Sequence, residues 1–214
     1  MGAAGLPTVF FITHPNVMID PAVPVPDWPL NLRGRSRMQA LATRSWISNV
    51  RRIFSSGERK ARDAAQILVD GLGLAGYRVV DGLGENDRSA TGFLDKAKFE
   101  ATADAFFASP QASVRGWDSA VAAQTRIVRA IEQLLAEISD SDIAIIGHGG
   151  TGTLLYCHLA GLPISRHFDQ PASNGGNWFA FGQVSRKLLQ AGWRSIDAAD
   201  DDERNTRWRG GGMQ

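Results

Sequence analysis

Two short apolar runs, each closed by a histidine, constrain this chain more than any other feature. "TVFFIT" (8–13) precedes His14, and "DIAIIG" (142–147) precedes His148. Both are too short for a helix, and rich in the β-branched or aromatic side chains that suit a buried strand. In open α/β sheets, sites lie where strands hand over to loops or helices at their carboxyl ends. Each imidazole stands at such a hand-over.

The segments around these runs alternate in character. Five prolines between Pro15 and Pro29 rule out a regular helix or central strand there, and predict an ordered surface loop. Gly34 to Arg44 then reads as a helix with Met38, Leu41 and Ala42 on one face, followed by a short strand over Arg51–Ser56. The next helix, from Gly57, places Ala61, Ala64, Ala65, Leu68 and Leu72 on one stripe; Ser55 and Ser56 are its expected N-cap residues. "YRVV" (77–80) begins as an edge strand and passes into a polar loop. Helices are predicted over Lys96–Phe107, Ser119–Ile138 and Thr151–Ala160, and a terminal strand pair within 177–193. Phe93, Phe99, Phe106, Phe107 and Trp117 read as core, and Trp28 as a pin for the proline-rich loop. The pattern predicts a three-layer α/β fold, a mostly parallel sheet flanked by helices, as a single domain over 1–196 with a flexible tail over 197–214.

Composition narrows the function classes. The net charge is +1, which argues against a dedicated nucleic-acid or membrane-surface binder. No stretch approaches the length of a membrane span, and the lone Cys157 excludes an internal disulfide framework; a cytoplasmic protein is expected. The terminal strand pair offers an edge on which two copies could pair as a homodimer.

Several chemistries compete for the two histidines. "GHGGTG" (147–152) matches the glycine fingerprint of dinucleotide-binding turns, but the second strand ending in an acidic residue is missing after it. An esterase would need a G-x-S-x-G elbow, which the chain lacks. His148, His158 and His167 do not have metal-ligand spacing, so no metal and no cofactor is expected. Phosphoryl transfer through histidine fits better. A neutral imidazole with a reference pKa of about 6.5 is a competent nucleophile when cations, amides and a carboxylic acid serve the phosphoryl group and the leaving oxygen. "SSGERKAR" (55–62) and "GLGENDR" (82–88) supply these groups.

Five segments in register resemble the histidine phosphatase superfamily, the phosphoglycerate mutase-like fold. These are "FFITHP", "WPLNLRGRSRMQALA", "IFSSGERKARDAAQIL", "GLGENDRSATGFL" and "IIGHGGT", spread between Thr8 and Phe181. The resemblance implies that His14 attacks phosphorus, that His148 hydrogen-bonds the transferring group, and that Glu85 is the general acid, with Asp87 and Glu58 as alternatives. It also implies a small phosphorylated substrate or a phosphoprotein as partner. Two positions depart from the family pattern: its arginine before the first histidine is Thr13 here, with Pro15 in place of glycine, and its second arginine is Lys60. Arginine grips two oxygens as a fork and lysine is a point charge, so losing both would cost about 3–4 kcal/mol of charge-assisted bonding. Two readings follow. Either Thr13, Lys60, Arg62, Arg88 and Gly149 form a rebuilt phosphate clamp, or the site binds a phosphorylated ligand without turnover. A mutase is a third reading, set lower because the chain between the acidic loop and the Ser119 helix is modest.

Overall fold

The computed structural model describes residues 6–138 and 140–199. Its strands are β1 (Thr8–Thr13), β2 (Val50–Ser55), β3 (Tyr77–Val79), β4 (Asp142–Gly147), β5 (Asn177–Gly182) and β6 (Arg194–Ser195). They form one sheet in the order β3-β2-β4-β1-β5-β6. The helices are α1 (Leu32–Leu41), α2 (Arg59–Leu72), α3 (Lys96–Ala108), α4 (Ala120–Ala136) and α5 (Gly149–Ala160). The sheet is mixed: β3, β2, β4 and β1 run parallel, while β5 and β6 are antiparallel to their neighbours.

Period-two alternation divides the core. Phe10 and Ile12 of β1 face one way with Ala144 and Ile146 of β4, and pack against Met38 and Leu41 of α1 and Ala61, Ala64 and Leu68 of α2. Val9 and Phe11 face the other way with Ile143 and Ile145, against Ile127, Ile131 and Leu134 of α4 and Leu155 and Tyr156 of α5. Two helical layers on a two-faced sheet are the layered arrangement that the apolar runs predict. Phe106, Phe107 and Trp117 form a third cluster with Ala120, Ala123 and Leu154. Phe99 is half-buried against that cluster, but Phe93 is exposed and lies beside Trp28, with ring centroids 5.7 Å apart. The Trp28 indole N–H is shared between the carbonyls of Asp20 (2.9 Å) and Val23 (3.0 Å), which pins the proline-rich loop to itself.

Some boundaries differ from the sequence expectation. The N-cap of α2 is Glu58 and not a serine, because Ser56 is engaged elsewhere. Helix α1 starts at Leu32, where the Asn31 side chain accepts from the Gly34 amide at 2.9 Å, and α5 starts at Gly149, directly after His148. The expected terminal strand pair is reduced to β5, a single bridge between Phe181 and Leu188, and the short β6. From Asp200 on, the expected tail lies outside the described residues. Among the described residues, no helix is long and apolar enough to cross a membrane.

Candidate active site

Parallel register brings three strand ends to one edge. Thr13 pairs with Gly147, and Ser55 with Ile146, so His14, Ser56 and His148 follow as neighbours just past the sheet. Backbone bonds hold them there: the His14 amide donates to the Gly147 carbonyl (3.1 Å) and the Ser56 amide to that of Ile146 (3.0 Å). The two imidazoles stand 5.1 Å apart, centroid to centroid, at 69°.

Their surroundings set their states. His14 Nδ1 lies 3.0 Å from the Pro15 carbonyl, which can only accept, so Nδ1 carries the hydrogen and Nε2 keeps its lone pair. Desolvation first, then His148 and Lys60, lower its pKa to about 3. His148 is 0% exposed; its Nε2 lies 2.8 Å from Ser56 Oγ and 3.4 Å from Glu58 Oε1. Desolvation lowers its pKa against the pull of Glu58 and Glu85. Both rings are therefore neutral near pH 7.

Lys60, only 3% exposed, donates to the Val25 carbonyl at 2.9 Å and pairs with the Glu58 carboxylate. Burial pushes the Glu58 carboxyl up, but His148 and Lys60 outweigh it and hold the pKa at about 2. Glu85 sits across the start of α5. Its Oε1 accepts from the amides of Thr151 (2.9 Å) and Asn86 (3.2 Å), and its Oε2 from that of Gly150 (3.2 Å). A carboxylate at a helix N-terminus is favoured by the free amides and the dipole. Desolvation raises the Glu85 pKa, and Arg88 and His148 more than offset it, so the net shift is downward. Arg126 of α4 holds the Glu85 loop through the carbonyls of Gly82 (3.1 Å), Gly84 (2.9 Å) and Glu85 (2.8 Å).

Two clefts meet at Glu85, Asn86 and Arg88. The smaller, about 230 Å³, contains His14, Gly149, Gly150 and Gln170. The larger, about 440 Å³, runs from Glu58 beneath Pro24–Pro26 to Ser89. Arg88 reaches both, with its guanidinium 5.2 Å from the Phe99 ring centroid and 5.6 Å from that of Trp117. Phe99, Phe106, Phe107 and Trp117 thus serve as core and as a wall of the smaller cleft.

The structure gathers His14, His148, Glu58, Lys60, Glu85, Arg88 and Gly149 at this edge. Asp87 borders the larger cleft, but it is exposed and its carboxylate accepts from the Ser89 amide at 2.8 Å. Arg62 is exposed and lines neither cleft, because a position two residues from buried Lys60 points to the opposite side of α2. The Thr13 hydroxyl is engaged inside the protein, accepting from the Asn177 amide (3.0 Å) and donating to Gln170 Oε1 (2.8 Å). Sequence reasoning missed Ser56 as a histidine partner, Arg126 as a loop anchor and Gln170 altogether. Ser56 stood in a segment already singled out, and Gln170 directly follows the Arg166–Asp169 loop, which reads from sequence as ordinary surface charge.

A sequence model of the histidine phosphatase superfamily (branch 1) matches residues 21–177. The chain belongs to that superfamily. Solved structures, phosphatases among them, share its fold. A mycobacterial glucosyl-3-phosphoglycerate phosphatase, in complex with inorganic phosphate, superposes with a TM-score of 0.70 at 21% identity, covering 90% of this chain and 100% of the other. YhfR of Bacillus stearothermophilus gives 0.73 at 17% identity, covering 90% and 98%. The alpha-ribazole phosphatase of Shigella flexneri gives 0.64 at 17% identity, with the same shares covered. No curated protein sequence matches the chain. This histidine phosphatase superfamily member carries Thr13 at the end of β1 and a buried Lys60 in α2 beside the two histidines.

Proposed function

We propose that the protein is a metal-independent phosphomonoester hydrolase working through a phosphohistidine on His14. One observation carries this reading: His14 presents an unprotonated Nε2 to a cleft, beside a second neutral imidazole 5.1 Å away. In the first step Nε2 attacks phosphorus and the bond to the leaving oxygen breaks. His148 hydrogen-bonds the transferring group, and Glu85 supplies the proton to the leaving oxygen. In the second step Glu85 takes a proton from water, the hydroxide attacks phosphorus, and the P–N bond breaks. Glu85 is ionised in the free enzyme, so a bound phosphoryl dianion must raise its proton affinity before it acts as an acid. Two cations line the cleft, Arg88 and Arg166. Arg166 is paired with Glu100 and Asp104, which leaves Arg88 as the cation for the phosphoryl group, and Lys60 supports it from behind, partly neutralised by Glu58.

The phosphatases among the fold neighbours favour hydrolysis over transfer between hydroxyls. The test is steady-state hydrolysis of an activated aryl phosphate with chelator present. Turnover by the wild type that disappears in His14→Ala supports the reading. A wild type that binds inorganic phosphate and shows no turnover supports the binding-only alternative, which the Glu58–Lys60 pair favours by tying up one cation.

A further inference from the structure

Gln170 is half-buried, a hydrogen-bonded link on one side and an unused donor on the other. The Thr13 hydroxyl accepts from the Asn177 amide at 3.0 Å, and its own hydrogen has two acceptors in reach, Gln170 Oε1 at 2.8 Å and the Asn177 carbonyl at 3.2 Å, of which the shorter is Gln170. The Asn177 Nδ2 group donates to the same oxygen at 3.0 Å. These two donors on one end of the carboxamide assign that end as oxygen and the other as nitrogen. The Gln170 NH2 group is then turned the other way, towards Gly149 at the start of α5: a Cβ built on Gly149 would lie 2.2 Å from Nε2. Among the described residues, no acceptor takes the Nε2 hydrogens. Gln170 lines the same cleft as His14, Gly149, Gly150 and Arg88. The backbone on either side is held as well. The Gln170 amide donates to Asp169 Oδ1 at 2.7 Å, and that oxygen accepts from Thr153 of α5 at 2.8 Å.

We propose that Gln170 Nε2 is a neutral phosphoryl-oxygen donor of this site, aimed by Thr13 and Asn177. The inference rests on the phosphatase reading above and adds a group to it. Thr13 thereby acts at one remove: its hydroxyl does not touch the phosphoryl group, and it orients the amide that does. A neutral donor suits a cleft where Glu58 already neutralises Lys60, since it strengthens oxyanion binding without a further buried charge to balance. Gly149 belongs to the same device, because any side chain there would displace the amide.

The test compares wild type, Gln170→Leu and Gln170→Glu for aryl phosphate hydrolysis and for inorganic phosphate binding by calorimetry. Gln170→Leu is expected to lower kcat/KM about 10- to 100-fold and to weaken phosphate binding, as loss of one donor to a charged oxygen predicts. The His14 and His148 imidazole signals in NMR should stay where they are; a purely structural role would move them. Gln170→Glu keeps the acceptor for Thr13 and Asn177, so it preserves the fold if the leucine variant does not. It should lose at least as much activity, since it replaces the donor with an anionic oxygen. Variants within about threefold of wild type in both rate and phosphate affinity would overturn the assignment. So would an activity loss in Gln170→Leu accompanied by shifted histidine signals; Gln170→Glu adds a charge to the cleft and is read by rate and phosphate affinity alone. An active wild type with active variants removes only Gln170 from the site. A wild type that binds phosphate without turnover leaves affinity to decide, and one that does neither removes the phosphatase reading and this donor together.

Discussion

The exits of β1 and β4 begin alike and end differently. Both strands are buried, both are in register at the same edge, and both hand over to a histidine. After His148 the chain enters α5 at once, and the ring is enclosed, with Ser56 and Glu58 on its Nε2 side. After His14 comes Pro15, which cannot continue the strand ladder, and the chain runs into the proline-rich loop. There the ring is half-buried and, among the described residues, its hydrogen bond is the one from Nδ1 back to the Pro15 carbonyl, so Nε2 is left without a partner at the cleft that His14 lines. The residue after each histidine therefore decides what the imidazole can do. A helix start makes a fixed neighbour, and a proline leaves the ring at the cleft, where the proposed nucleophile has to stand.

The largest effect expected from this contrast is on rate. His14→Ala should lose roughly 10⁴-fold or more in kcat, as for removal of a covalent nucleophile. His148→Asn should lose about 10²- to 10³-fold, as for removal of one preorganised donor. Measured side by side on an aryl phosphate, a loss at His148 equal to that at His14 would break the distinction and make the pair one functional unit. Next comes the acid. Glu85→Gln should slow poor leaving groups by about 10²- to 10⁴-fold and good ones much less. A uniform loss across leaving groups would move the proton donor to Glu58 or Asp87.

How much of this was legible in the chain differs by element. Strands β1 and β4 could be read because a continuous apolar run has few other uses in a chain this polar. The two helical layers followed from their stripes of alanine and leucine. The cap of α2 could not be read, because Ser56 is a good N-cap residue by type and is diverted to His148, 92 positions away. Gln170 carried no signal, since its partner Thr13 is 157 positions away and an isolated glutamine in a loop is ordinary. The two strand ends already put His14 and His148 at one edge, and family resemblance supplied the roles expected of them. It could not show that Thr13 would be turned inward, because that depends on a loop with no local pattern.

A smaller effect tests the electrostatic side of the comparison. The unfolded chain binds a proton on His14 below its ordinary pKa of 6.5, whereas the folded protein refuses it until about pH 3. His14 thus contributes stability that is full above pH 6.5 and is lost as pH falls towards 3. His148 shifts in the same direction, and Glu58 adds its own loss between 4.5 and about 2. The melting temperature should drop by several degrees between pH 7 and pH 5, at about 2–4 °C per kcal/mol for a domain of this size. His14→Asn should flatten that slope. A variant with the wild-type slope would mean that His14 titrates normally in the folded protein, and the proposed nucleophile would then be protonated in mild acid.

The smallest effect concerns α2, where two basic side chains were candidates for one role. Lys60 is buried behind the site and paired with Glu58, and Arg62 is exposed on the other side of the helix. Lys60→Met should weaken phosphate binding by about tenfold, because it removes a nearby cation and leaves Glu58 as uncompensated negative charge. Arg62→Ala should stay within about twofold of wild type, since an exposed charge acting across solvent is screened over roughly 8–10 Å at physiological salt. Both are read by phosphate calorimetry at two salt concentrations. A strong, salt-sensitive loss in Arg62→Ala, with Lys60→Met unaffected, would mean that α2 turns its other side to the ligand. The Glu58–Lys60 pair would then be a structural ion pair, and Arg88 with Gln170 would form the clamp without help from this helix.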